Sequence, residues 1–286
     1  MNKFIGKVAV ITGAAEGIGK AIAVRAAAEG MKLVLADIDS AKLDLTVAEF
    51  RKQNVDVIGV CIDVSKAEAV EALAVQSFSH FGNVHLLVNN AGVAIAKPVW
   101  ETTQQDWDWI IGVNLYGVTN GLRAFLPTML KNGEEGYIVN TASMAGLLSQ
   151  PSLAAYNASK HAVIAVSEGL HYDLALRDAK IKVSVLCPSW VKTRIAQAER
   201  NRPFSTTPDL AVPDAVAIGV EGVIFNAVEN GISVEAVADA VFDAILVDRF
   251  YVLTDLAVLP MIQTRMEDIL HQRQPTFFPM GSADGV

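Results

Sequence analysis

Seven short runs of β-branched and aliphatic residues recur along this chain of 286 residues, and long helical patterns separate them. The runs are "KVAVIT" from residue 7, "KLVLADI" from 32, "VIGVCIDV" from 57, "VHLLVNN" from 84, "YIVNTAS" from 137, "KVSVLCP" from 182 and "RFYVLTD" from 249. Each is nearly continuous in its apolar content, the pattern of a strand buried on both faces of a parallel sheet. Parallel neighbours need crossover connections of a dozen or more residues. Segments 17 to 29, 65 to 80, 103 to 131 and 152 to 178 are amphipathic and long enough to supply them. The predicted fold class is therefore α/β: a doubly wound parallel sheet of about seven strands with helices on both faces. A chain of this length, 52% apolar, can bury its core as a single domain.

Charge and composition exclude several functions. With 23 Lys+Arg against 31 Asp+Glu the formal charge is −8 and no basic run occurs, so nucleic acid is not an expected partner. No uncharged apolar run reaches the roughly 18 residues that span a bilayer. The start "MNKFIGKVAVITG" lacks a small-residue cleavage site and runs into a glycine loop, which reads as a first strand and a cytoplasmic protein. Cys61 and Cys187 sit in strand-like contexts, as buried thiols in a reducing compartment. Histidines 80, 85, 161, 171 and 271 show no ligand spacing, so no metal is expected.

"TGAAEGIG", residues 12 to 19, follows the first strand and opens a helix. Unpaired amides and the positive helix end make such a turn an anion site, with Gly13 for the tight turn, Gly17 for backbone approach and Gly19 for close helix packing. The spacing G-x-x-x-G-x-G also suits a purely structural turn. Asp37 closes the second strand, 18 residues after Gly19, where a carboxylate accepts bonds from an adenosine ribose or simply caps a turn. A ribose phosphate facing it meets like charge, about 4 kcal/mol near ~4 Å at an effective dielectric of ~20, roughly a thousandfold preference for NAD over NADP. Glu16 adds negative charge, with Lys42 expected as the only nearby base.

Tyr156 and Lys160 in "YNASK" lie four apart on a helical pattern, and no other tyrosine of the five has a lysine at that spacing. An adjacent ammonium is expected to lower the phenol pKa toward the working range of a general base; the alternative is an incidental surface pair. Ser143 ends a strand at the ligand-binding edge of the sheet, where its hydroxyl either holds a substrate oxygen or caps a helix. Asn114 is chemically unremarkable within "WIIGVNLYGVTN".

"TGAAEGIG", "DV" at 63 and 64, "NNAG" at 89 to 92, Asn114, Ser143, "YNASK" at 156 to 160 and "PSWVKT" at 188 to 193 occur in an order and at spacings similar to the short-chain dehydrogenase/reductase family. The resemblance covers roughly residues 4 to 194 and implies a Rossmann-type fold and hydride transfer between NAD and an alcohol or ketone. Tyr156, Ser143 and Lys160 would be catalytic, and Asn114 would distort its helix and hold a water linking the lysine to solvent. Gly13, Glu16, Gly17, Ile18 and Gly19 would line the dinucleotide, with Asp37 on the ribose and Asp63 and Val64 beside the adenine. Asn90, Ala91 and Gly92 would lie beneath the ribose, which Lys160 grips. Pro188, Val191 and Thr193 would border the carboxamide, with Tyr156 also touching the cofactor. Ser189 stands where the family commonly has glycine, which puts the local loop shape in question. The family usually forms dimers or tetramers through two long helices, here within 103 to 131 and 152 to 178.

Residues 194 to 232, with Pro203, Pro208 and Pro213 before the apolar "AVAIGVEGVIFNAV", depart from the compact rhythm and suit a substrate lid or a surface hairpin. With Leu147, Leu148, Trp190 and Phe204 as possible walls they suggest a hydrophobic, bulky secondary alcohol or ketone; the alternative is a polar sugar or hydroxy acid. Attachment to a membrane surface is disfavoured by Asp214 and Glu221. The tryptophan-rich stretch 100 to 110, with Thr102 or Thr103 as N-cap, reads as packing. Ser233 is the expected cap of a helix burying Val234, Val237, Ala238, Val241 and Ile245. A C-terminal extension over 256 to 286 carries a helix from Pro260, with Ile262, Met266 and Ile269 expected inward. A catalytically silent NAD-binding scaffold remains the alternative to an enzyme.

Overall fold

A computed structural model describes residues 3–202 and 215–278. Seven parallel strands form one sheet in the order β3-β2-β1-β4-β5-β6-β7. They are β1 (Val8–Thr12), β2 (Lys32–Asp37), β3 (Val57–Cys61), β4 (Leu86–Asn89), β5 (Gly136–Thr141), β6 (Ile181–Cys187) and β7 (Tyr251–Leu253). Helices α1 (Gly17–Ala28), α2 (Ser40–Lys52), α3 (Ala67–Phe81), α4 (Gln104–Ile111), α5 (Gly117–Asn132) and α6 (Ala154–Ala175) connect them, followed by α7 (Ala215–Glu229), α8 (Val234–Leu246) and α9 (Leu259–Leu270).

Alternation along buried strands divides the core in two. Ala9, Ile11, Leu33 and Leu35 face one side, where Ile22 of α1 and Val237, Val241 and Phe242 of α8 close over them. Val8, Val10, Val34 and Ala36 face the other, against Leu73 of α3, Phe125 of α5 and Leu170 of α6. Side chains buried this fully contribute about 1.5–3 kcal/mol each, so the sheet is fixed from both faces. Because the strand order reverses between β1 and β4, their carboxyl ends splay apart and leave a crevice there.

Several local expectations change. Segment 103 to 131 is not one α-helix: after α4, capped reciprocally by Thr103 and Asp106, the backbone from Gly112 to Tyr116 widens into a π-helical turn before α5 begins. Cys61 is exposed, not buried, because β3 takes the sheet edge; Cys187, on interior strand β6, is buried. Ser233 does cap α8, accepting from the Ala236 amide, and Val237, Ala238, Val241 and Ile245 are buried while Val234 is partly so. Pro260 sits in the first turn of α9, but Met266 and Ile269 are 46% and 55% exposed. The helix instead turns Met261 and Ile262 toward Met144, Leu148 and Val258, and buries Asp268, which accepts from the Thr276 amide at 2.8 Å. Pro203, Phe204, Pro208, Pro213 and Asp214 lie outside the described residues.

Candidate active site

The crevice is a cleft of about 510 Å³ running from the tip of β1 to α7. Every residue expected to be catalytic or to touch the cofactor lines it except Gly19 and Asn114, which are buried behind it.

At the β1 end the chain turns sharply. Gly13 has φ +64°, and a Cβ there would stand 2.9 Å from the Ala91 Cα; Gly17 has φ +60°. Both positions therefore require glycine. Glu16 precedes α1 but makes no capping bond. Its carboxylate pairs instead with Lys42 at 2.7 Å, Arg194 at 3.6 Å and Arg200. Burial opposes its ionisation, yet Lys42 and Arg200 hold it below the usual carboxylate range. Lys42 is thus not the only base nearby: two arginines from the excursion after β6 arrive from some 180 positions away. With no side-chain cap, the first-turn amides of α1 lack side-chain partners, and together with the glycine turn they make a cradle suited to a phosphate group.

Thr12, which looked like an ordinary strand residue, organises the opposite lip. Its hydroxyl accepts from the Asn90 and Ala91 amides at 2.9 and 3.1 Å, while Asn90 Nδ2 donates back to the Thr12 carbonyl at 3.0 Å. Asp37 holds the next turn, accepting from the Ala15 amide at 2.9 Å and the Asp39 amide at 3.0 Å. It fills the role of a turn carboxylate while its remaining lone pairs border the cleft. Asp63 accepts from the Ser65 amide at 2.9 Å.

Ser143, Tyr156 and Lys160 meet at the centre. Ser143 caps the single turn Met144–Gly146 through the Ala145 amide at 3.1 Å, and its hydroxyl also lies 3.5 Å from the Pro188 carbonyl oxygen. Lys160 is buried, donates to the Thr141 carbonyl at 2.9 Å, and its Nζ lies 5.6 Å from the Tyr156 ring centre. The expected lowering of the phenol pKa by lysine does not appear. Burial pushes Tyr156 upward, opposed by Ser143, and burial also brings Lys160 down to about 8. In this low-dielectric pocket desolvation outweighs the pairing read from spacing.

Asn114 sits in the π turn with every polar atom engaged. Its Oδ1 accepts from the Val93 amide at 2.8 Å, and its Nδ2 donates to the Val93 carbonyl at 2.9 Å and to Ser159 Oγ at 3.0 Å. Ser159 in turn donates to the Tyr156 carbonyl at 2.7 Å. Ser189, in place of glycine, keeps a negative φ and receives the Thr254 hydroxyl oxygen on its amide at 3.1 Å, so the loop needs no left-handed residue.

The far wall differs from expectation. Of the expected walls Trp190 lines the cleft, but Leu147 and Leu148 pack into the core, and Met144 and Leu153 line the cleft in their place. The stretch assigned to packing contributes Gln105, Asp108 and Trp109 to the wall, while Trp109 also packs against Val93 and Ala198. Arg202 stacks over Trp109 and pairs with Asp106, which Lys97 joins at 3.1 Å. Burial of Asp106 opposes its charge, but bonds from Arg202, Thr103 and Lys97 hold it at about 2. Ile224 and Val228 of α7 close the end. Among the described residues no cluster of metal ligands occurs and no helix is long and apolar enough to cross a membrane.

Known proteins share this arrangement. A family model described as short chain dehydrogenase matches residues 7–203. The chain is 34% identical over 288 residues, all of both chains, to the CLA biosynthesis dehydrogenase/reductase of Lactiplantibacillus plantarum. It is 32% identical to the C alpha-dehydrogenase of a Sphingobium strain, over 96% of this chain and 89% of the other. A short chain dehydrogenase/reductase from Burkholderia phymatum, solved in complex with NAD, superposes with a TM-score of 0.94 at 47% identity, covering 98% of this chain and 99% of that one. By the match over most of its length and by the order of its motifs, the chain belongs to the short chain dehydrogenase family.

Proposed function

We propose that this protein is an NAD-dependent oxidoreductase that interconverts a bulky, largely apolar secondary alcohol and its ketone. The observation that carries this reading is the gathering of Ser143, Tyr156 and Lys160 in a single cleft whose one end is a glycine phosphate cradle. The Burkholderia phymatum relative's bound NAD supports the cofactor assignment. NAD, when bound, supplies or accepts the hydride.

The chain's own residues do the rest. Gly13, Gly17 and the α1 amides would hold the pyrophosphate, and Asp37 would accept from the ribose and repel a phosphate there. Tyr156 exchanges the hydroxyl proton of the substrate; its raised pKa keeps it protonated at neutral pH, the form that donates a proton to a ketone oxygen. Ser143 holds that oxygen in line. Lys160 contributes a donor to the ribose beside Tyr156, and Asn114 supports the proton path by fixing the backbone that carries both. On the substrate side, Trp109, Met144, Leu153, Trp190, Ile224 and Val228 exclude water. Arg194 and Arg200, which line the cleft, are engaged by Glu16, and Arg202 nearby pairs with Asp106, which favours an uncharged substrate.

We also place the protein in the cytoplasm as a homodimer or homotetramer, with the described residues of 194 to 232 as the substrate lid; light scattering tests the assembly. The deciding experiment is a panel of aryl, alicyclic, sugar and hydroxy-acid alcohols assayed with NAD and NADP in parallel. Turnover of apolar carbinols with NAD is expected. Tight NADH binding without turnover of any alcohol or ketone would convert the reading to a silent cofactor-binding scaffold.

A further inference from the structure

Gln150 precedes α6 in the loop that follows Ser143, and it lines the catalytic cleft while being only 8% exposed. Its position is fixed by its backbone: Asn157, the neighbour of Tyr156, donates from Nδ2 to the Gln150 carbonyl at 2.8 Å. Its side chain is a different matter. The buried Oε1 has no hydrogen-bond partner in the protein. Asn89 Oδ1 and Asn157 Oδ1 share that condition, but neither residue faces the cleft; Arg202 Nε, also away from it, has the Glu199 carboxylate 2.9 Å away. Gln150 therefore combines burial, a missing partner and a place in the lining of the cleft that holds Ser143 and Tyr156.

A buried carboxamide oxygen left unpaired is costly, and a group that restores its bond is correspondingly favoured. The surroundings narrow what that group is. Met144, Leu153 and Trp190 line the same cleft, and its arginines, Arg194 and Arg200, are both engaged by the Glu16 carboxylate. A hydroxyl both donates and accepts, so it satisfies the carboxamide whichever way the amide is turned. Resting on the alcohol–ketone reading above, we propose that Gln150 recognises a second hydroxyl of the substrate, distinct from the reacting carbinol, and that the preferred substrates are apolar secondary alcohols carrying an additional hydroxyl.

The test uses phenylpropanol and the same carbinol bearing a terminal hydroxyl, phenylpropanediol, with NAD and the full-length protein. The wild type should favour the diol in kcat/KM by about tenfold or more, the effect of one buried hydrogen bond. Gln150→Met should bring the ratio to about one, and Gln150→Glu, which keeps an acceptor oxygen, should retain a preference for the diol. Independently of turnover, Gln150→Met should raise the Tm of the ligand-free protein, because it removes an unpartnered buried amide. A wild-type ratio near one, a ratio untouched by Gln150→Met, or a lowered Tm in that variant would overturn the proposal. If neither alcohol is oxidised, the alcohol–ketone reading is judged by the wider panel above. Calorimetric titration of the same pair into NADH-loaded protein then decides the role of Gln150: equal affinities, or a difference that survives Gln150→Met, refute it.

Discussion

Asn114 Nδ2 donates to Ser159 Oγ at 3.0 Å, joining the π turn between α4 and α5 to the helix that carries Tyr156 and Lys160. The same Asn114 closes a two-bond ring with the backbone of Val93, so one side chain ties three segments at the back of the cleft. A turn widened by one residue is what lets the amide reach all three partners, and such turns recur at functional sites.

Replacing Asn114 with Ala should therefore leave the Val93 amide and carbonyl unpaired in the interior. Each buried orphan costs about 1–3 kcal/mol, so urea midpoints should fall with an unchanged m-value. Ser159→Ala removes two bonds, the one from Asn114 and the one to the Tyr156 carbonyl, and should cost about 1–3 kcal/mol. Equal stability of all three proteins would contradict the tethering role.

Tyr156→Phe keeps the ring and removes the hydroxyl. Turnover should fall by roughly 10²–10⁴, the range of general acid–base catalysis, while NADH affinity measured by fluorescence changes little. Full activity in this variant would end the assignment of the proton exchange to Tyr156.

Burial raises the Tyr156 pKa above its ordinary value near 10. Reduction of a ketone needs the protonated phenol and should be flat in its Tyr156 dependence from about pH 6 to 8, whereas oxidation needs the phenolate and should climb as pH rises toward that pKa. A flat kcat/KM profile for reduction beside a rising one for oxidation, measured in one buffer series, checks the sign. Parallel profiles would show that another group controls the proton.

Asp37→Ser removes the charge at the end of β2. The NAD over NADP ratio should drop by up to about a thousandfold, the full Coulomb difference for a pair near ~4 Å. The Ala15 and Asp39 amides also lose their acceptor, so weaker binding of NAD itself is expected alongside. Paired kcat/KM values for the two cofactors separate the effects.

His85, at the opposite end of the sheet, accepts the Val8 amide on Nδ1 at 3.1 Å and faces Glu134 through Nε2 at 3.0 Å, with Lys7 bound to the same carboxylate. Burial holds its pKa below the ordinary 6.5, with Lys7 acting in the same direction and Glu134 against it. The folded state thus binds fewer protons than the unfolded one. The His85 contribution is complete above about pH 6.5 and is lost as pH falls through the depressed folded value. Denaturation midpoints across pH 5 to 7.5 should show this decline, and His85→Gln should flatten it.

The sequence by itself determined whatever depends on near neighbours along the chain. Unbroken apolar runs separated by crossover-length helices specify a parallel sheet, the spacing of Gly13 and Gly17 specifies the cradle, and four-residue spacing puts Tyr156 and Lys160 on one helical face. Tertiary structure decided which distant groups meet and what solvent they keep. Strand order placed β3 at the edge and so exposed Cys61, and the path after β6 brought Arg194 and Arg200 to Glu16. Packing around α6 set the sign of the Tyr156 shift, because desolvation depends on every surrounding atom while local spacing reports only one neighbour. Gln150 carries no local signal at all: its unpaired oxygen exists only once the cleft has closed around it.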